Sequence, residues 1–365
     1  MLLAADLARQ GPLQVLDAMA GCGIRALRYG LEAGAGAVWA NDADPDRLPL
    51  LEANLSALES WGCSLRCTAR TAQQLLADCL LREERFALVD LDAFGCPTAL
   101  LPLALEAVAL DGVLYLASTD GRSPTGHDRT AAIRRLGAAA RAHPASWELA
   151  LRLQLGAIAR AAWAQGRGVQ PLVSFSEGRT FRTAVRLRRR AVAGEERQLG
   201  LLAHCHGCGD QQVQSLLQLR RWAPCGCRLG EEVPLAVSGP LWIGPLQHGP
   251  TLRELAQDAA ARTGQMAPAT LRLLARLEAD AGLPARCWPL DALARRLPSG
   301  APRLAVLVAA LQEEGHVAAA SGVMAGQLRT DAPWREVLAV AGRLAAHRQP
   351  TEPTEPTAPV RPQPC

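Results

Sequence analysis

Short apolar runs alternate with amphipathic segments over the first half of the chain. "LQVLDAMA" reads as a buried strand and "IRALRYGLEAGA" as the helix that follows it. "AVWANDAD" and "DRLPLLEANLSAL" repeat the pair, as do "SLRCTA" with "TAQQLLADCLL" and "FALVDLDAF" with "ALLPLALEAVA". "GVLYLASTD" closes the series. Strands alternating with helices at this spacing predict an α/β fold, a parallel sheet with helices on both faces. This unit spans residues 1–190 and ends in "PLVSFSEGRTFRTAVRLRRR". Residues 191–250 form a cysteine-rich segment with connecting strands, in which "GPLWIGPL", Gly239 to Leu246, reads as a strand and turn. Residues 251–347 read as a smaller, mostly helical domain, and the Pro-rich end, 348–365, as a disordered tail. No solenoid repeat is evident.

The length, 365 residues, suits a multi-domain protein. A net charge of +4 and a pI near 8.6 permit a nucleic-acid partner without demanding one. No lysine occurs, so every strong base is arginine, a side chain suited to phosphate. The start, "MLLAADLARQG", is too short and too quickly polar for a signal peptide, and no stretch is long and apolar enough to span a membrane. The expected location is cytoplasmic. Eleven cysteines there argue for metal or buried thiols rather than disulfides.

The first strand-to-helix turn carries the first chemistry. A dinucleotide site calls for G-x-G-x-x-G, but here Asp17 precedes Gly21 and Gly23, and the third glycine is absent. An acidic strand end followed by G-x-G suits S-adenosylmethionine, whose ammonium group Asp17 can meet directly or through water. Asp42, at the end of the second strand, can accept hydrogen bonds from ribose hydroxyls. A G-x-G alone reads as a tight turn; with Asp17 and Asp42 in this strand order, the cofactor reading prevails.

"DLDAFG", Asp90 to Gly95, ends the fourth strand. An exocyclic amine on a base is a poor nucleophile because its lone pair is delocalised. A carboxylate can bond its N–H and take a proton, and an aromatic ring can stack on the base. Asp92 and Phe94 are the candidates; the plain alternative is a strand-end aspartate and a core Phe. Cys96-Pro97 has no partnering signature, and Cys96 reads as a small buried residue.

"CHGCG" and "CGC" give Cys205, Cys208, Cys225 and Cys227, two close pairs that predict a tetrahedral, structural zinc site. His204 and His206 are less suited as ligands. Arg186 to Arg190, with Arg220 and Arg221, can grip phosphates or form a solvated face, and both readings stand. His127, His143, His248 and His316 show no partner pattern and read as surface or packing residues.

Taken together, these segments resemble the tRNA guanine-26 N2-dimethyltransferases. "LDAMAGCGIRALRYGLE", "WANDADPDRLPLLEANL", "DLDAFGCP", "STDGRSPTG", "GPLWIGPL" and "RTDAPW" match that family in order and spacing over residues 13–334. The resemblance implies a Rossmann-like class I methyltransferase domain and a helical tRNA-binding domain. It implies transfer of one or two methyl groups from S-adenosylmethionine to N2 of guanosine 26 in tRNA, with no membrane and no protein partner. Arg25, Asp42 and Ala72 match its cofactor contacts and Asp92 its catalytic aspartate; many members also carry cysteines like these. Four departures stand out. The chain begins just after a family segment with Asn-Pro and Asn-Arg-Asp, which suggests a truncated start. Ala93 replaces a motif proline, which can loosen Asp92. Thr71 replaces an aspartate before Ala72 and can bond the adenine without charge. Ala319, Ala320, Ser321 and Gly322 replace a Ser-Arg-Thr-His run, which puts some tRNA contacts in doubt. The alternatives are methylation of another RNA guanosine and tRNA binding with weakened catalysis. A nicotinamide oxidoreductase is disfavoured by the missing glycine.

Overall fold

The computed structural model describes residues 1–225, 227, 235–262, 264, 266–298 and 300–346. The disordered tail expected over 348–365 lies outside them. The first half holds strands β1 (Gln14–Asp17), β2 (Ala37–Asp42), β3 (Ser64–Ala69), β4 (Phe86–Ala93) and β5 (Val108–Ser118). Between and before them run helices α1 (Leu2–Gln10), α2 (Ile24–Leu31), α3 (Leu48–Leu55), the short α4 (Ala57–Ser60), α5 (Ala72–Leu81) and α6 (Leu101–Ala107). Helices α7 (Arg129–Leu136) and α8 (Ser146–Ala164) lead into the hairpin β6 (Gly168–Glu177) and β7 (Thr180–Arg188).

These strands form one seven-stranded sheet in the order β3-β2-β1-β4-β5-β7-β6. The first five are parallel, and β7 runs antiparallel to both neighbours. Successive residues face opposite sides, as the period of a strand requires. Leu16, Val89 and Leu114 meet α5, α6 and α8 on one side. Val15, Leu88 and Val113 meet α1, α2 and α3 on the other. The chain turns back between β1 and β4, so the crevice beyond their carboxyl ends is where such a sheet binds ligands.

A second sheet, β10-β8-β9, follows, built from β8 (Leu199–His204), β9 (Gln211–Ser215) and β10 (Ala236–Trp242). The last strand is the one expected from "GPLWIGPL". It lies so close to α8 that a Cβ on Gly156 would come within 2.9 Å of the Leu241 backbone. The remainder is mainly helical: α9 (Gly249–Ala261), α10 (Pro268–Ala279), α11 (Leu290–Ala294), α12 (Leu304–Glu313) and α13 (Trp334–Ala346). It also contains a small sheet of β11 (Cys287–Pro289), β12 (Ala318–Ala320) and β13 (Gln327–Thr330), in the order β11-β13-β12. The sequence did not signal it, because runs of three and four residues are too short to show alternation.

A fully buried ionic group joins this last region to α8. Arg329 of β13 meets Asp280 at 2.6 Å and Glu148 at 3.7 Å. Glu148 in turn holds Arg152 at 2.9 Å, one helical turn on. Arg152 donates to the Trp242 and Gly244 carbonyls, and Arg329 to those of Leu283 and Pro284. "GPLWIGPL" and "RTDAPW" therefore each supply a side of one buried contact. Among the described residues no helix is long and apolar enough to cross a membrane.

Candidate active site

Gly21 and Gly23 both have positive φ, +59° and +85°, in the turn after β1. A side chain at Gly23 would also press on Leu51 and Leu55 at 3.1–3.2 Å. Glycine here lets α3 close under the turn and leaves backbone exposed to a ligand. The turn is tied down from β2: the Gly21 amide donates to Asp42 Oδ2 at 2.9 Å, and Asp44 donates to Oδ1 at 3.0 Å. Each Asp42 oxygen retains a lone pair. Buried Asn41 binds the three strand ends together. Its Nδ2 donates to the Ala18 and Arg70 carbonyls, while its Oδ1 accepts from Thr68 and the Arg70 amide. Thr71 caps α5 in a reciprocal capping box with Gln74. Its hydroxyl is thereby engaged with the helix, and the neighbouring Ala72 amide is one of the first-turn donors that no intrahelical carbonyl accepts.

Asp17, Asp90 and Asp92 have the same strand parity and face α2. Arg25 and Tyr29 are four apart on that helix and so point together at these carboxylates. Arg25 lies 2.9 Å from Asp90 and 3.4 Å from Asp17, and it also contacts Asp92. Tyr29 donates to Asp90 at 2.7 Å. Burial and the nearby Asp90 raise the Asp17 carboxyl to about 7, against the pull of Arg25. Burial likewise raises Asp90. Burial works against the Arg25 charge, but Asp90, Asp17 and Asp92 outweigh it and hold the guanidinium above its ordinary value. Asp17 Oδ2 is buried without a hydrogen-bond partner. Asp17 itself is wholly enclosed beside Arg25, so in this arrangement Arg25 is the cation that faces outward.

Asp92 is partly open and has a second cation near it, Arg182 at 3.9 Å, which accepts support from Tyr115 by donating to its hydroxyl at 3.1 Å. Ala93 stays in register with Ser118, so the strand persists without the motif proline. Phe94 is 100% exposed and hence no core residue. Gly95, at φ +82°, turns the chain there and is fixed by Ser118 and Thr119. Sequence reasoning passed over Asp90, Tyr29, Asn41, Tyr115 and Arg182. The alternation Asp90-x-Asp92 and the spacing Arg25/Tyr29 carried the signal for the first two.

The sulfurs of Cys205, Cys208, Cys225 and Cys227 lie within 4.8 Å of one another. Cys205 is 3.4 Å from Cys227 and 3.5 Å from Cys225. Tetrahedral zinc with thiolates requires sulfurs about 3.8 Å apart, so the donor set fits such an ion. His204 and His206 are not members of the group. The Cys205–Cys208 turn is gripped by the C-terminal region: Arg296 and Trp334 donate to the Cys208 carbonyl, and Trp288 donates to that of Gly209. The two indoles are stacked at 5.1 Å. Of the other histidines, His248 caps α9, His316 meets Glu336 at 2.9 Å, and half-buried His143 accepts from the Ala145 amide. Arg186 and Arg188 bond to Gln10 and Gln170, whereas Arg189, Arg190, Arg220 and Arg221 are exposed.

A family described as N2,N2-dimethylguanosine tRNA methyltransferase matches residues 2–341. The chain is 30% identical to a tRNA (guanine(26)-N(2))-dimethyltransferase of Thermococcus kodakarensis, over 90% of this chain and 87% of that one. It is 31% identical to the enzyme of the same name from Aeropyrum pernix, over 90% and 82%. Its fold is similar to that of Trm1 from Pyrococcus horikoshii, solved as a complex with S-adenosyl-L-methionine. The TM-score is 0.81 at 23% identity, with 93% of this chain and 91% of that one covered. With the match running from α1 into α13 and relatives aligned over nine-tenths of its length, the chain belongs to the N2,N2-dimethylguanosine tRNA methyltransferase family.

Proposed function

We propose that this protein methylates N2 of guanosine 26 in tRNA, once or twice, using S-adenosylmethionine. The observation that carries the proposal is the pairing of Asp92 with a fully exposed Phe94 at the end of β4, beside the glycine turn of β1. The turn suits the cofactor. Gly21 and Gly23 give it backbone to lie against, and Asp42 has free lone pairs for the ribose hydroxyls. Arg25 faces its amino-acid end with Asp17 enclosed behind it, and Thr71 and Ala72 border its adenine. The cofactor supplies an electrophilic methyl group.

The chain's residues do the rest. Phe94 stacks on a guanine drawn out of its neighbours' stack. Asp92 accepts a hydrogen bond from the N2 amine, directs its lone pair, and takes the proton released once the new N–C bond forms. Arg25 and Arg182 hold Asp92 in place from either side, and positioning does most of the catalytic work. In this assignment residues 1–190 hold cofactor and target base, the cysteines of 191–250 hold structural zinc, and 251–347 contact tRNA, with the reaction in the cytoplasm.

The test is nucleoside mass spectrometry of an unmodified tRNA transcript incubated with the protein and cofactor. N2-methylated guanosine is expected, and a transcript with adenosine at position 26 yields none. Methylation that persists on the second transcript transfers the site to another guanosine, and no product from either defeats the proposal. For zinc, Cys208→Ser is expected to abolish stoichiometric metal by elemental analysis. Because Cys208 anchors Arg296 and Trp334, the loss should also lower Tm by about 10 °C. Unchanged Tm in a metal-free variant would refute a structural role.

A further inference from the structure

The loop carrying Phe94 is fastened to α7. Thr98 donates its hydroxyl to the Arg135 carbonyl, and the two segments enclose an open cleft of about 450 Å³. Phe94, Arg134 and Arg135 line it, and no acidic residue does. Three arginines meet at this end of α7, and two have evident tasks. Arg160 donates to the Leu136 and Gly137 carbonyls, serving the helix C-terminus where a cation is favoured. Arg135 pairs with Asp120 at 3.0 Å, and Asp120 is itself fixed by the Arg122 and Ser123 amides. The Arg134 side chain is exposed and has neither a hydrogen bond nor an ion pair among the described residues. A free guanidinium thus shares a cleft with an exposed aromatic ring, within an anion-compatible wall.

A base removed from its stack swings about its own backbone, so the enzyme must hold that backbone beside the pocket. A planar guanidinium suits a phosphate, to which it can donate two parallel hydrogen bonds. We propose that Arg134 binds the phosphodiester flanking the target guanosine, pinning the RNA backbone while Phe94 takes the base. The assignment rests on the function proposed above and adds the residue that fixes the target nucleotide's backbone.

The test is a cycle of protein and RNA changes. Arg134→Ala should raise KM for tRNA roughly tenfold, the scale of one charge-assisted contact, and make the salt dependence of binding shallower by about one ion. Cofactor affinity and Tm should not move. Two further RNAs each carry one uncharged methylphosphonate, on the 5′ or the 3′ side of guanosine 26. One of them should bind wild type as weakly as unmodified RNA binds Arg134→Ala, and lose nothing further with that variant. Additive losses for both RNAs, or an unchanged KM and salt slope, would overturn the proposal. The cycle reads equally by binding anisotropy, so it decides Arg134 even if the wild-type protein methylates no guanosine, a result that counts against the function itself.

Discussion

Asp92→Asn should lower kcat for methyl transfer by about 10²–10⁴-fold while leaving tRNA affinity within about threefold of wild type. The substitution keeps the shape of the side chain and removes only its charge and its capacity to take a proton. Asp92 lies at the end of β4, held from the side by Arg25 and, at 3.9 Å, by Arg182. An amide there can still accept one hydrogen bond from the N2 amine, so the guanine can be placed. It cannot take the proton that the alkylated nitrogen must shed. The loss therefore belongs in single-turnover kcat and not in KM for tRNA. A residual rate within tenfold of wild type would mean that water, not Asp92, receives the proton. Phe94→Ala gives the contrast, since a lost stacking partner weakens placement of the base and raises KM as well.

The α/β alternation and the glycine turn after β1 were legible because their signals are local. Four strands each pair with a helix at regular spacing and a fifth closes the series, and Gly21 and Gly23 stand where positive φ is required. The cysteine cluster was legible because each close pair brings two thiols together, and the structure brings the two pairs within 4.8 Å. The contacts that tie segments far apart were not. Asp90 reads as an ordinary strand residue until Arg25 and Tyr29 are brought over it. Thr71 reads as a free hydroxyl until its partner Gln74 shows that it caps a helix. "GPLWIGPL" and "RTDAPW" were recognisable as strings, but their purpose is a shared burial. One supplies carbonyls to Arg152, the other supplies Arg329, and about ninety residues separate the first pair in the chain. Local periodicity holds no information on such pairings; only the packed core reveals them.

That burial sets the largest expected effect on stability. Arg329→Met should cost about 3–5 kcal/mol at neutral pH, because it removes the cation from a wholly enclosed group and leaves the carboxylates behind. Methionine fills much of the volume, so the loss is electrostatic rather than a cavity. Glu148 keeps Arg152 at 2.9 Å, but Asp280 keeps only the Gly322 amide at 3.1 Å. Burial already raises the Asp280 carboxyl above its ordinary 3.8, with Arg329 the chief opposing influence. Without Arg329 it rises further. The sign follows from linkage: a carboxyl raised in the folded state keeps its proton while the unfolded chain releases its own near pH 4, so stability falls as pH climbs above that value. The deficit of the variant should be smallest near pH 4 to 5 and grow toward pH 7, by up to about 1.4 kcal/mol per pH unit. Urea titrations of both proteins at pH 5 and pH 7.5, followed by circular dichroism and by tryptophan fluorescence, to which the stacked Trp288 and Trp334 contribute, measure it directly. A deficit independent of pH would assign the cost to lost packing. No deficit at either pH would mean that the ionic group contributes nothing to holding the C-terminal region against α8.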